Sequence, residues 1–461
     1  MRGGREADAS GGVRASGIRS SARCWLVGLA VGLALADSSI VTLALPDILR
    51  ELDVDITTVS WVLTSFNLAL ALAALPAALI ARRRPSAAFT TGTIAFALAS
   101  LACGLAPSFG VLVGARVVQA VGAALLVTAA LELLSETTGS DARAARVWVA
   151  AGILGAAIGP AAGGILTELA GWESIFLMQV PLSLLPLAAL GGMPVRPRVT
   201  ATGWPQLNAN AALLLLSGGL VAALFLLVLL LVEGWGMSPA AAGLVVTVMP
   251  LAAIAAGRVV ASQRDSLRVR ATSGIVLVAG GLAGLALLPR AGWWWTLAPQ
   301  LLVGAGIGLA LAALTERAVV GRGDQVVHGG WTLTARHVGV VLGLLLLTPV
   351  LTAALDRNED EAVRAGAAEV LDSRIPALDK LRLAQDVLDE VRSAEQRGEL
   401  PDVETVFEDR PGSDEYGALL AALRSQLQRA VTNAFSSSFL LAAALSLGAL
   451  VPATLIRGRP I

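Results

Sequence analysis

The chain has 461 residues, 56% of them hydrophobic and only 15% charged, where soluble proteins carry about 25% charged residues. An ordinary soluble globular enzyme is excluded, because apolar stretches of about 20 residues, enough to cross a ~30 Å hydrocarbon layer, recur from residue 24 to residue 456. The formal net charge is zero, yet residues 356–430 hold 18 acidic and 10 basic side chains against 16 and 24 elsewhere, so two differently charged compartments are addressed.

Apolar runs bounded by charge, Pro or Gly predict twelve spans, at 24–45, 58–81, 86–106, 109–133, 146–169, 173–192, 209–232, 239–260, 271–289, 293–315, 328–354 and 432–456. The organisation that follows is a cytoplasmic tail (1–23), an N-terminal six-helix bundle (24–192) and a cytoplasmic linker (193–208). The C-terminal bundle then supplies helices 7–11 (209–355), an acidic extracytoplasmic helical insert (356–430), helix 12 (431–456) and a last cytoplasmic tail (457–461). Arg23, the apolar run Trp25 to Ala36 and the small residues Ala34-Leu35-Ala36 have the form of a cleavable signal. The apolar pattern continues through Ile40 to Pro46, however, which gives spanning length and favours a retained first span.

Orientation follows from arginine. With the amino terminus in the cytoplasm, twenty arginines fall in cytoplasmic segments and two, Arg50 and Arg290, in the short loops opposite. All ten tryptophans lie near span ends, as indole's preference for the headgroup level expects. In the acidic segment, Ile375, Leu378, Leu381, Leu388 and Val391 recur at helical spacing, and Ser413-Asp414-Glu415 marks a helix start leading into span twelve. A solvated amphipathic cap accounts for this pattern; a docking site for an extracytoplasmic protein partner is the alternative.

An ionisable group in hydrocarbon costs about 2.5–3.5 kcal/mol on insertion scales, so each one inside a span needs a reason. Asp37 lies in span one, Arg116 in span four, and Arg336 with His337 in span eleven. Asp37 is either a proton carrier or an acid relieved by water at the outer interface; a latch onto backbone carbonyls across helices accounts for Arg116, and a satisfied core histidine for His337. In span five, Gly152, Gly155 or Ala156, Gly159 and Gly163 stack small surfaces on one face, and Pro160 and Gly164 interrupt the helix. Cys24 and Cys103 lack metal-ligand spacing and read as packing residues.

Four stretches resemble the drug/proton antiporter branch of the major facilitator superfamily. Asp37-Ser38-Ser39-Ile40-Val41-Thr42-Leu43-Ala44-Leu45-Pro46 is similar to the span-one signature of that branch, with Thr42 where the family has asparagine. Arg116 to Ala124 resembles its span-four motif, Gly152 to Gly164 its span-five antiporter motif, and Ala434 to Leu445 its final span. Weaker echoes are Ser60 to Thr64, Trp172 to Pro181 and Met237-Ser238-Pro239. The gating loop between spans two and three departs from the family: in Ala77 to Pro85 only Arg82 fits, and the motif's aspartate and glycines are absent. Many members have fourteen spans; the short join between Gly192 and Ala209 leaves no room here for the extra pair.

The resemblance implies an all-α integral membrane fold of two six-helix bundles in the plasma membrane. The activity it implies is proton-driven export of amphipathic or apolar small molecules by alternating access, with no cofactor beyond the proton gradient. Asp37 and Arg116 are then the expected proton-coupling pair. Asn67, Gln119, Gln179, Arg336 and His337 are expected polar contacts of a substrate cavity, and Arg82, Gly152, Gly155, Gly159, Pro160, Gly163 and Gly164 are expected in gating and helix packing. The damaged gating loop and the outer insert keep open a second expectation, a non-transporting scaffold or receptor. Enzymatic and nucleic-acid roles find no motif: neither a phosphate loop nor His-Glu-x-x-His occurs, and the basic residues are explained by topology.

Overall fold

The computed structural model describes residues 4–190, 200–260, 266–320, 323–373, 375–397, 405–407 and 414–456, all of it helix and connecting turns. The first half comprises span one (Gly4–Thr42), span two (Trp61–Ala81), span three (Pro85–Gly104), span four (Phe109–Thr138), span five (Asp141–Ala170) and span six (Glu173–Leu184, then a 3-10 stretch Leu185–Leu190). Between spans one and two run two short helices, Leu45–Glu51 and Ile56–Val59. The second half comprises span seven (Leu207–Leu229, ending in a π-turn Leu230–Gly234), span eight (Pro239–Val246 and Val248–Val260), span nine (Leu267–Ala286), span ten (Trp293–Val319), span eleven (Gln325–Asp372) and span twelve (Asp414–Gly448).

Among the described residues eleven of these helices are long and apolar enough to cross a membrane; the sixth, Glu173–Ala188, is a shorter apolar helix there. A helix stands at each of the twelve expected places, the sixth described as far as Leu190: Pro181 removes a backbone donor and the helix loosens into 3-10 geometry after Leu184. Span one is also longer than expected, since the helix begins at Gly4 inside the stretch read as a tail. Ser20 there donates to the Thr137 carbonyl at the end of span four, 3.0 Å away.

Helix starts follow the capping rules. Ser140, Ser238, Ser266 and Asp324 each accept from the backbone N–H three residues on, and Pro85 and Pro239 occupy first-turn positions where no donor is missed. In the loop after span one, the Thr58 backbone N–H bonds Asp55 at 2.7 Å and holds its carboxyl below the usual carboxylate range.

The two halves repeat one packing device. Spans three and four cross where a methyl on Gly92 would come within 2.8 Å of the Gly122 carbonyl oxygen. Spans nine and ten cross where one on Gly274 would come within 2.6 Å of the Gly306 carbonyl oxygen. Glycine at both faces lets the helix backbones touch.

Span eleven continues unbroken past the expected membrane boundary into the acidic insert, which also holds a helix Ala377–Arg397 and joins span twelve. The insert has its own core of Val370, Ile375, Leu383, Phe407, Tyr416, Leu419 and Leu423. The expected apolar stripe is therefore corrected: Ile375 is buried, but Leu378, Leu381 and Leu388 are exposed and Leu383 points inward. The side chain of Val391 and residue Ser413 lie outside the described residues, as does the start of the linker, 193–199.

Candidate functional site

Asp37 and Arg116 form an ion pair with both side chains fully buried, so the acid is not at a wet interface. Arg116 rises from span four beneath span two, donating through Nε to the Val62 carbonyl at 3.1 Å, with its guanidinium 4.2 Å over the Phe66 ring. The amides of Gln119 and Gln179 close the pair from its other sides. Arg116 Nη1 donates to Gln119 Oε1 at 2.6 Å, and Gln179 Nε2 donates to Asp37 Oδ1 at 3.0 Å. Gln119 Nε2 lies 2.8 Å from Ser100 Oγ, 3.0 Å from Gln179 Oε1 and 3.3 Å from Asp37 Oδ1. Five spans of one half thus meet in a buried polar knot, with Cys103 at its edge, its Sγ 3.9 Å from Gln119 Oε1. Ser100 carries no mark in the sequence that sets it apart from other small residues of span three.

This placement corrects two expectations. Gln119 and Gln179 are bound up with the ion pair and do not line the cavity between the halves. That cavity, of about 160 Å³, is walled by spans one, five, seven, eight, ten and eleven, and of the expected polar contacts only Arg336 lines it. Asn67 and His337 instead bridge the halves. Asn67 Oδ1 and His337 Nδ1 are 2.7 Å apart, and Asn67 Nδ2 reaches Ser38 Oγ at 3.4 Å. Trp148, expected at the headgroup level, is also buried and walls the cavity, its indole N–H bonding the Val127 carbonyl at 3.0 Å. The helix there starts at Asp141, which carries the tryptophan a turn and more inside.

The halves touch at both ends of the cavity. At the arginine-rich end Arg82 Nη1 pairs with Asp324 Oδ2 at 3.1 Å, and Asp324 is almost wholly buried. Gln325 donates to the Asp141 carbonyl at 3.0 Å, and Thr334 to that of Ala71 at 3.0 Å. The acid missing from the gating loop is thus supplied by the cap of span eleven. Asp324 stands just before span eleven and caps it, and nothing in its local sequence marks this partner.

At the other end spans five and eight meet: methyls on Gly164 and Gly243 would strike the Pro239 and Pro160 carbonyl oxygens. Glu168 Oε2 there accepts from the Ala240 N–H at 3.1 Å, and Arg50 lies 3.4 Å from Glu233. The rest of the span-five stripe faces inward to its own half. Gly152 packs on Leu35, Gly155 on the Gly32 carbonyl, Gly159 on Ser39 and Gly163 on the Ile40 carbonyl. The stripe therefore clamps span one, the helix carrying Asp37, and only Pro160 and Gly164 serve the seam between halves.

A family model for the Major Facilitator Superfamily matches residues 27–344. The chain is 38% identical over 167 residues to the multidrug resistance protein Stp of Mycobacterium tuberculosis, covering 35% of this chain and 30% of that protein. It is 33% identical over 229 residues to the tetracenomycin C resistance and export protein of Streptomyces glaucescens, covering 48% and 42%. Puromycin resistance protein pur8 of Streptomyces alboniger is 38% identical over 200 residues, covering 42% and 39%. The chain spans well under half the length of these relatives. In fold it is similar to a bacterial homologue of the human lysosomal transporter Spinster, in an inward-facing and unoccupied conformation, with a TM-score of 0.63 at 17% identity over 96% of this chain and 99% of that one. The chain belongs to the Major Facilitator Superfamily, a multi-pass membrane protein of a transporter fold whose sequence relatives are resistance and export proteins.

Proposed function

We propose that the chain is a proton-coupled exporter of amphipathic or apolar small molecules, set in the plasma membrane with both termini cytoplasmic and working by alternating access of its central cavity. The observation that carries the reading is the sealed Asp37–Arg116 pair, immediately behind the cavity wall made by Ser38 and Ser39. A carboxylate paired in a dry site is neutralised by one partner at a time. A proton arriving on Asp37 competes with the guanidinium, weakens the pair and loosens span one from span four; its departure restores the clamp. Because span one also forms the cavity wall, protonation and cavity shape are mechanically joined. Substrate and proton then alternate across the membrane as the two ends of the cavity open in turn, at the Arg82–Asp324 contact and at the seam of spans five and eight.

The scaffold reading rests on a gating loop without its acid and on the outer insert; the Arg82–Asp324 pair supplies an acid at that loop, and the export reading is the one that the resistance and export relatives support. The test is efflux of amphipathic dyes from proteoliposomes under an imposed pH gradient. Asp37→Asn is expected to abolish gradient-driven efflux while leaving dye binding in place; efflux at the unsubstituted rate would defeat the coupling role.

A further inference from the structure

The cavity contains a charge that the ion pair does not answer. Arg336 of span eleven lines it, and among the described residues no carboxylate or hydrogen-bond acceptor engages its guanidinium; Nε is buried without a partner. Asp37 is committed to Arg116 behind the cavity wall, and among the described residues no carboxylate lines the cavity. Thr315 of span ten, also lining, is 2% exposed and its hydroxyl is unpartnered as well. Ser38, across from them, accepts from Asn67 and has its own proton left to donate. Apart from Ser39, whose hydroxyl donates to the Ala36 carbonyl, the remaining walls are apolar, among them Leu220, Leu224, Met249 and Ile307.

An unneutralised guanidinium within a bilayer and an orphaned buried hydroxyl beside the same space are both groups whose partner comes from outside the chain. The fork of a guanidinium matches two oxygens of a carboxylate, sulfonate or phosphate group, and the hydroxyls of Thr315 and Ser38 add further donors. A cation entering here meets only like charge. We infer that the cavity binds an amphipathic anion, its acidic group on Arg336 and its apolar body against spans seven, eight and ten. This rests on the export reading above and sharpens it to a substrate class.

The test uses the full chain in phosphatidylcholine nanodiscs at neutral pH without a gradient, with three dansyl probes of equal body: undecanoic acid, its methyl amide and undecylamine. The acid is expected to bind about ten- to a hundredfold tighter than the amide, and the amine weakest. Arg336→Gln brings the acid down to the amide's affinity, and Arg336→Glu reverses the order in favour of the amine, a result that a misfolded protein does not give. Equal binding of acid and amine by the unsubstituted chain, or an acid preference that survives Arg336→Gln, overturns the inference. With phosphatidylglycerol in the disc, competition that Arg336→Gln removes identifies a lipid headgroup as the anion; its absence identifies a free amphiphile, and either supports the site. A chain that binds the acid but drives no efflux sinks the export reading and keeps the site, whereas one that exports only cationic dyes sinks the site alone.

Discussion

The two halves of the molecule use the same crossing and fill it differently. Arg116 stands six residues before Gly122 on span four, and Gln300 stands six before Gly306 on span ten. In the same register Gln119 corresponds to Val303, and Ser100, eight residues past Gly92, corresponds to Leu282, eight past Gly274. All six side chains are buried. One half therefore holds a hydrogen-bonded ion pair where the other holds leucine, valine and one amide, so the architecture does not need charge at that place. Buried ion pairs are weak contributors to stability compared with apolar packing of the same volume. That contrast supports the coupling role proposed for the charges of the first half.

The sharpest way to break that comparison is to separate the two charges. Asp37→Ala leaves Arg116 buried without its acid and is expected to destabilise the protein by about 3–5 kcal/mol, read as a lowered thermal midpoint in detergent. Asp37→Asn combined with Arg116→Gln, which makes the first half resemble the second, is expected to recover most of that loss while remaining unable to couple transport to protons. A double variant as unstable as the single one would show that the pair is architectural, and the contrast between the halves would lose its meaning.

What the sequence displays and what it hides divides along the same line. Span positions are legible because twenty apolar residues in a row admit few other readings, and Asp37 and Arg116 are legible because charge in hydrocarbon is costly. That they meet is a tertiary fact. Gln119 and Gln179 looked like cavity residues because their helices border the centre of the bundle, but which way a side chain points depends on the rotation of each helix, and both turn away from the cavity. Asp324 shows the converse. This acid caps a span on the arginine-rich face, but its pairing with Arg82 joins the two halves and no local pattern encodes it.

A second test asks whether the halves act as separate bodies joined at their ends. Asp324→Asn keeps an oxygen to cap Val327 but removes the charge that holds Arg82. Charged hydrogen bonds contribute about 1.5–3 kcal/mol, so the balance shifts by about tenfold or more toward a state open at the arginine-rich end. A cysteine introduced at Ala78, which packs under Gly330, reports this by faster labelling with a water-soluble thiol reagent. Exchanging the charges, Arg82→Asp with Asp324→Arg, is expected to slow the labelling again. Unaltered labelling in Asp324→Asn would mean that glycine packing alone holds that end shut.

The smallest effect is the most discriminating. Gln300 donates to Thr296 at 2.9 Å but its carbonyl oxygen is buried without a partner, so this amide is poorly satisfied. Replacing it with leucine removes an unmet acceptor along with one modest hydrogen bond, and the two changes nearly cancel. Gln300→Leu is therefore expected to leave the thermal midpoint within about 1 kcal/mol of the unsubstituted protein, or to raise it slightly. Gln119→Leu is expected to cost about 1–3 kcal/mol, because it strands Arg116, Asp37 and Ser100 together. If these two buried glutamines, about one turn apart in the shared register, proved interchangeable in cost, the polar knot would be no more than a set of independent bonds. If only Gln119→Leu costs stability and coupling together, the amide belongs to the same unit as the charges, and a chain that could have packed leucine there has kept a cluster whose use is to come apart.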